Sequence, residues 1–301
     1  MEKTLIVVVG PTGIGKSAIS LKLAQYLNTD IISADSRQIY RELSIGTAVP
    51  PEKDLNTVTH HFIQTISVND YYNASMFETD VLKKLEQLFP SKNPVILTGG
   101  SMFYVDAVCN GIDDFPTVDQ EIRSQLIEEF AQNGLEAIRL QLKQLDPIYY
   151  GKVDLKNPKR ILHALEICLM TGKPYSSLRS GTLKERPFRI VKIGLNMERE
   201  NLYKRINERV LQMVAQGLFE EARSVYHLKH LNPLNTVGYK EIFAYFDGTI
   251  TRDEAIEQIQ NNSRKYARKQ LTWFRRDPTI NWFEPQQYNE IINFLHSSNI
   301  L

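Results

Sequence analysis

Gly10-Pro11-Thr12-Gly13-Ile14-Gly15-Lys16-Ser17 satisfies the pattern G-x-x-x-x-G-K-[ST] without a mismatch. Each residue type has a task in it. Gly10, Gly13 and Gly15 permit sharp turns that aim successive backbone N–H groups at phosphate oxygens. Lys16 supplies a full positive charge, and the helix that should begin near it adds the positive end of its dipole. The Ser17 hydroxyl stands where such loops ligate Mg2+. The motif predicts a site for a di- or triphosphate with Mg2+; the competing reading is a glycine-rich turn with no ligand. The pattern leaves the reaction open, and a missing acid narrows it. Hydrolytic P-loop enzymes usually end a neighbouring strand in an Asp that helps hold the metal. Here that strand ends Leu97-Thr98-Gly99-Gly100-Ser101, and the carboxylate is instead Asp35, after the apolar run of IISADSRQIY. In a parallel sheet the carboxyl ends of neighbouring strands line one crevice, so Asp35 should face the phosphate loop. A carboxylate there is poorly suited to phosphate and well suited to accept a proton from a second substrate. A turn-capping role for Asp35 is the simpler alternative. These features favour group transfer over motor or switch work.

These groups need a scaffold. Leu5–Val9 is a β-branched run ended by Gly10 and reads as a strand buried on both faces. Ile19, Leu23 and Leu27 recur every four residues, an amphipathic helix. Thr29–Ala34 reads as a second strand, Ser75–Phe89 as a helix and Pro94–Thr98 as a third strand. The alternation predicts an α/β fold, a P-loop NTPase-like parallel-sheet core with right-handed crossovers. Asn110-Gly-Ile-Asp-Asp-Phe-Pro116 is turn-rich and reads as a boundary, with Asp113-Asp114 a solvated turn. Helical patterns then run over about 118–145, broken near Asn133-Gly134, and from Asn157-Pro158 to Thr171-Gly172-Lys173-Pro174, with coherent cap and stop residues. Phe188–Leu195 restores a strand, followed by helical patterns at about 199–229 and 253–276. The predicted organisation is a first core segment over 1–112, a helical insertion domain over 113–187, and a return to the core over 188–301.

Composition sets outer limits. The 301 residues carry 36 basic and 35 acidic side chains, a net charge of +1, which excludes a protein that coats polyanions by bulk charge. The balance hides an asymmetry: residues 1–150 sum to −7 and residues 151–301 to +8. Two cysteines, Cys109 and Cys168, support neither a disulfide framework nor a four-cysteine zinc site. No apolar run has the length of a signal peptide or a membrane helix, so a soluble cytoplasmic protein is expected.

With GPTGIGKS, ADSRQIY, TGGSMFY, NPKRILHALE, TGKP, TVGYKE and RKYARKQLTWFR in this order, the chain resembles the bacterial tRNA dimethylallyltransferases, also called tRNA isopentenyl-pyrophosphate transferases, from about residue 3 to residue 276. The resemblance implies transfer of the dimethylallyl group of dimethylallyl diphosphate to N6 of the adenosine 3′ to the anticodon, with loss of diphosphate. It implies that Asp35 is the general base, and that Lys16, Thr12, Arg205 and Ser17 with Mg2+ neutralise the leaving diphosphate. Asp35, Ser36, Arg37 and Gln38 would touch the extruded adenosine. Ser101, where the family usually has Thr, Arg123, and the run Lys159, Arg160, Ile161, Leu162 and His163 would contact the anticodon stem-loop of tRNA. Two positions depart from the family pattern: Thr47-Ala48-Val49-Pro50 lacks the usual Lys at Val49, and Gln64 replaces an Asp. A monomer without a membrane partner is the expected working state.

Other residues keep more than one reading. Arg205 and Arg209, one helical turn apart, are by default a solvated basic face; the resemblance makes Arg205 a diphosphate ligand. Residues 262–276 interleave Arg264, Lys265, Arg268 and Lys269 with Tyr266 and Trp273, which suits either an RNA surface or a buried aromatic stripe. His60-His61 has no third ligand at metal spacing and reads as a loop oriented by hydrogen bonds. A small-molecule kinase with an arginine-rich lid is the rival function, and an RNA-binding protein with a vestigial P-loop a second.

Overall fold

The computed structural model describes residues 2–113, 119–179, 181 and 183–300. Six strands form one sheet: β1 (Thr4–Val9), β2 (Ile31–Ser33), β3 (His60–His61), β4 (Val95–Thr98), β5 (Arg189–Leu195) and β6 (Ile280–Phe283). Their order is β3-β2-β4-β1-β5-β6 and every pairing is parallel. β1 lies between β4 and β5, with Val7 opposite both Leu97 and Lys192. Its run of apolar residues is explained by burial on both faces: Ile6 and Val8 enter one core, and Leu5, Val7 and Val9 the other. The second strand is shorter than the expected 29–34, and two edge strands were not expected. β3 has two residues, and β6 (INWF) is too brief to show a period.

The chain divides into two compact units, Met1–Asn110 with Arg186–Leu301, and Gly111–Glu185. In the first unit, α1 (Lys16–Leu27) follows the phosphate loop, then come α2 (Glu52–Thr57), α3 (Ala74–Leu88) and α4 (Met102–Asn110). Ile19 and Leu23 of α1 pack on one side of the sheet, Phe77, Val81 and Leu85 of α3 on the other. At the end of α4, Arg186 donates to the carbonyls of Val108 (2.8 Å) and Ala107 (2.6 Å) and to the Glu78 carboxylate (2.7 Å). One guanidinium thus ties the end of α4 to the start of the segment that becomes β5.

In the second unit every element among the described residues is helical: α5 (Gln120–Leu145), α6 (Pro147–Tyr150), α7 (Pro158–Thr171) and α8 (Tyr175–Leu178). α5 bends where the sequence placed a break, at Gly134 (φ 74°). α7 begins and ends on the expected residues: the Asn157 side chain accepts from Arg160 N, Pro158 sits in the first turn, and Gly172 closes the helix at φ 64°. Leu126, Ile138, Leu142, Ile161 and Leu165 fill this unit's own core. Of the turn-rich boundary, Asp114, Phe115 and Pro116 lie outside the described residues, as do Thr117 and Val118.

After β5 the first unit continues with α9 (Arg199–Ala215), α10 (Leu218–Ser224), α11 (Tyr239–Phe246), α12 (Arg252–Phe274) and α13 (Tyr288–Ser297). The single helix expected over 199–229 is interrupted at Gly217, whose φ of 103° is outside helical space. No helix among the described residues is long and apolar enough to cross a membrane. Cys109 and Cys168 are free and buried.

Candidate active site

The phosphate loop turns on its glycines: Gly10, Gly13 and Gly15 have φ of 147°, 80° and 104°. At Gly10 a side chain would also collide, its Cβ falling 2.6 Å from the Leu195 carbonyl oxygen. Ile14 points inward and is fully buried, fixing the loop to the core. Lys16 Nζ donates to the carbonyls of Gly10 and Pro11, both at 2.9 Å. Burial, reinforced by the Arg209 charge and opposed by Asp35, lowers the Lys16 pKa to about 7. Thr12 N donates to Gln270 Oε1 at 2.8 Å.

Asp35 is brought to the loop by a close backbone approach. A Cβ on Gly99 would lie 2.1 Å from the Ala34 carbonyl oxygen, so only glycine lets the ends of β4 and β2 meet this tightly. Asp35 Oδ1 accepts from Arg37 N (2.9 Å) and Gln38 N (3.3 Å). The turn-capping role therefore holds, and it coexists with the cavity-facing one, because among the described residues Oδ2 has no hydrogen-bond partner. Ser101 Oγ accepts from Ser36 N at 2.8 Å and lies 3.0 Å from Ser36 Oγ. Gln38 Nε2 donates to the carbonyls of Thr47 (3.1 Å) and Ala48 (2.9 Å).

Two cavities of about 380 Å³ each meet at Asp35. The first lies over the phosphate loop and is lined by Lys16, Ser17, Val49, Thr98 and Arg205, among others. The second is lined by Ser36, Arg37, Ser101, Thr236 and Lys240. Thr12, Gly13, Asp35, Thr47, Arg209 and Tyr266 wall both. The two arginines of α9 differ in exposure: Arg205 is exposed at the mouth of the first cavity, and Arg209 is half-buried between the two. Arg205 reaches the phosphate loop, its Nη2 lying 3.3 Å from where a Gly15 Cβ would stand. Arg209, which sequence reasoning left unassigned, places Nη1 3.4 Å from Thr12 Oγ1. Burial lowers its pKa and the Asp35 charge acts against that.

α12 closes the site with a polar residue that no sequence signal marked. Gln270, 1% exposed, holds Thr12 N with one end of its amide and the Gly100 carbonyl (2.8 Å) with the other. Lys265, Arg268 and Lys269 project outward from the same helix, Trp273 is half-buried, and Tyr266, 36% exposed, walls both cavities. The wall formed by Thr47, Ala48 and Val49 is held from behind by Glu221. Its carboxylate accepts from the N–H groups of Ser44, Ile45 and Gly46 at 2.7–2.8 Å and from the buried Tyr239 hydroxyl at 2.6 Å. Gln64, at the second family departure, donates to Ser44 Oγ at 2.7 Å. His60 and His61 are corrected from loop to edge strand. They do orient their surroundings: His60 Nδ1 bonds the Val58 carbonyl (2.8 Å) and His61 Nε2 the Asp30 carboxylate (2.9 Å).

The remaining expected residues belong to the second unit. Arg123 Nε and His163 Nδ1 each lie 3.6 Å from the buried Glu166 carboxylate, one on each oxygen. Lys159 and Arg160 are exposed on the first turn of α7. Ile161 is a correction: helical geometry turns it inward, where it is fully buried, and its side chain cannot present itself to a partner. Leu162 is half-buried against the same core.

The chain matches the family model described as IPP transferase over residues 38–277. It is 58% identical to tRNA dimethylallyltransferase 1 of Bacteroides fragilis (strain YCH46) over 98% of each chain. Identity to the protein of that name from Porphyromonas gingivalis (strain ATCC BAA-308 / W83) is 59% over 95% of each. Among solved structures, the full-length tRNA isopentenylpyrophosphate transferase from Bacillus halodurans is 34% identical, covers 99% of this chain and 96% of its own, and superposes with a TM-score of 0.70. A eukaryotic dimethylallyltransferase acting on tRNA, 24% identical, shares the fold with a TM-score of 0.81 over 99% of this chain and 80% of its own.

Proposed function

The chain belongs to the IPP transferase family, and from that premise we propose that it moves the dimethylallyl group of dimethylallyl diphosphate to N6 of the adenosine 3′ to the anticodon of tRNA, in the cytoplasm and as a monomer. The observation that carries the assignment of roles is the seam at Asp35, where two cavities of equal size meet. The prenyl diphosphate lies in the first, its phosphates on the loop amides, Lys16 and Arg205. The extruded adenosine enters the second, past Ser36, Arg37 and Ser101.

In the reaction, N6 attacks the allylic C1, the C1–O bond breaks, diphosphate departs with the bonding electrons, and one N6 proton passes to Asp35. An exocyclic aromatic amine is a weak nucleophile, so a base at hydrogen-bond reach matters as nitrogen gains charge. Asp35 meets that need with Oδ2, while the amides of Arg37 and Gln38 hold Oδ1 in place. Arg209 and Thr12, at the seam, are placed to stabilise charge growing on the bridging oxygen; one preorganised donor of this kind is typically worth about 3–4 kcal/mol. Mg2+ fits the first cavity: Ser17 offers an exposed hydroxyl beside Lys16, and this ion characteristically takes one or two protein oxygens together with phosphate oxygens. Ser17 would hold it, and the bound ion would neutralise diphosphate charge.

The deciding experiment incubates the protein with labelled dimethylallyl diphosphate and unmodified tRNA, beside a parallel reaction with labelled ATP. Label entering tRNA is the expected result. ATP consumption without transfer to tRNA would overturn the reading in favour of a kinase.

A further inference from the structure

Beside Ser101, α4 and α12 build a surface that the two cavities do not use. Phe103, in the first turn of α4, leaves 61% of its surface exposed. Its ring stands edge-on to Trp273, with centroids 5.0 Å apart. Trp273 is itself pinned: Nε1 donates to the Asp106 carboxylate at 2.8 Å, and the Arg276 guanidinium lies 5.2 Å from its ring centroid. An exposed ring braced by a fixed one is a rigid platform with a face open to water.

Two further observations say what that face receives. The platform stands beside the site: Phe103 follows Ser101, a wall of the second cavity, by two residues, and Trp273 lies one turn beyond Gln270, a wall of the first, which binds the Gly100 carbonyl. Its α12 side is basic. Residues 264–276 carry six basic and no acidic side chains, and Lys269, Arg275 and Arg276 are exposed. A flat apolar face for a base with cations for the backbone around it is the chemistry that holds single-stranded nucleic acid. Drawing one base into the second cavity removes its neighbours' stacking partner.

We propose that Phe103 is the stacking platform for an unpaired base next to the extruded adenosine, which is how the opened anticodon loop is held while one base is in the site. The inference rests on the RNA prenyl transfer proposed above and adds to it a surface outside the two cavities.

The test is a titration of anticodon stem-loop RNA against the full chain without prenyl donor. F103A is expected to weaken binding roughly tenfold, the scale of one base–aromatic stack. F103Y should stay within about twofold, and F103L, which keeps apolar bulk against Trp273 without a π face, should bind more weakly than wild type. With an abasic nucleotide placed in turn 5′ and 3′ of the adenosine, one of the two RNAs should bind wild type and F103A alike. Dimethylallyl diphosphate binding by calorimetry, unchanged in F103A, shows that the site is intact. The proposal is overturned if F103A binds intact RNA as wild type does, or loses equally on both abasic RNAs. Failure of the parent reading looks different: the wild type itself would not bind the stem-loop.

Discussion

Asp35 divides its work between two oxygens, and substitutions should separate them. Asparagine keeps an acceptor for the Arg37 and Gln38 amides and loses the ability to take a proton. D35N should therefore lower the single-turnover rate by 100-fold or more with RNA affinity within about twofold. D35A leaves both amides without their acceptor, so it should weaken RNA binding as well as catalysis. Equal loss of rate and affinity in D35N would make Asp35 a binding residue only. The α9 arginines should differ: R209A is expected to cost about 100-fold in kcat, and R205A chiefly to raise KM for dimethylallyl diphosphate. At this scale the phosphate loop was legible because its pattern is local. Arg209 was not: two arginines one turn apart look alike, and the roll of α9 against the loop decides their roles. Gln270 was invisible, since an amide that reaches Thr12 across 258 residues of chain leaves no trace in spacing.

The elements that place these side chains have their own weak points. Gly99 is one, because its missing Cβ lets β4 approach Ala34, whose neighbour is Asp35. In G99A a backbone carbonyl occupies the new atom's space, so the two strand ends must part and carry Asp35 away from the loop. Activity should fall by at least 100-fold while the far-ultraviolet circular dichroism stays that of the wild type. Glu221 is another. E221A leaves three amides and a buried tyrosine hydroxyl without their acceptor and should destabilise the fold by about 3 kcal/mol in urea unfolding. Elements with a clear period or cap were readable: β1, α1, and α7 with its Asn157 and Gly172. β3, β6 and α11 were not, because two to eight residues are too few to display a period. Gly217 split a helix whose apolar pattern ran on regardless.

Over the whole molecule, the charge asymmetry of the linear sequence does not follow the units. The Gly111–Glu185 unit holds 10 basic and 11 acidic residues, so neither unit is a strongly charged body. On the reading proposed above, recognition of RNA depends on shape, one extruded base and local cations such as those of α12. The slope of log Kobs against log salt for a stem-loop should be shallower than about −3, which corresponds to some four phosphates; a slope near −6 would mean an extended electrostatic interface. Arg186 has a different consequence. Its guanidinium joins the end of α4 to the start of the returning segment, so the chain leaves the core and rejoins it one side chain apart. A segment whose exit and return are held together by one guanidinium can lengthen or shrink without disturbing the register of the sheet. The core is in this sense a socket: a change in the length of that segment leaves the phosphate loop, Asp35 and the strand pairings where they are.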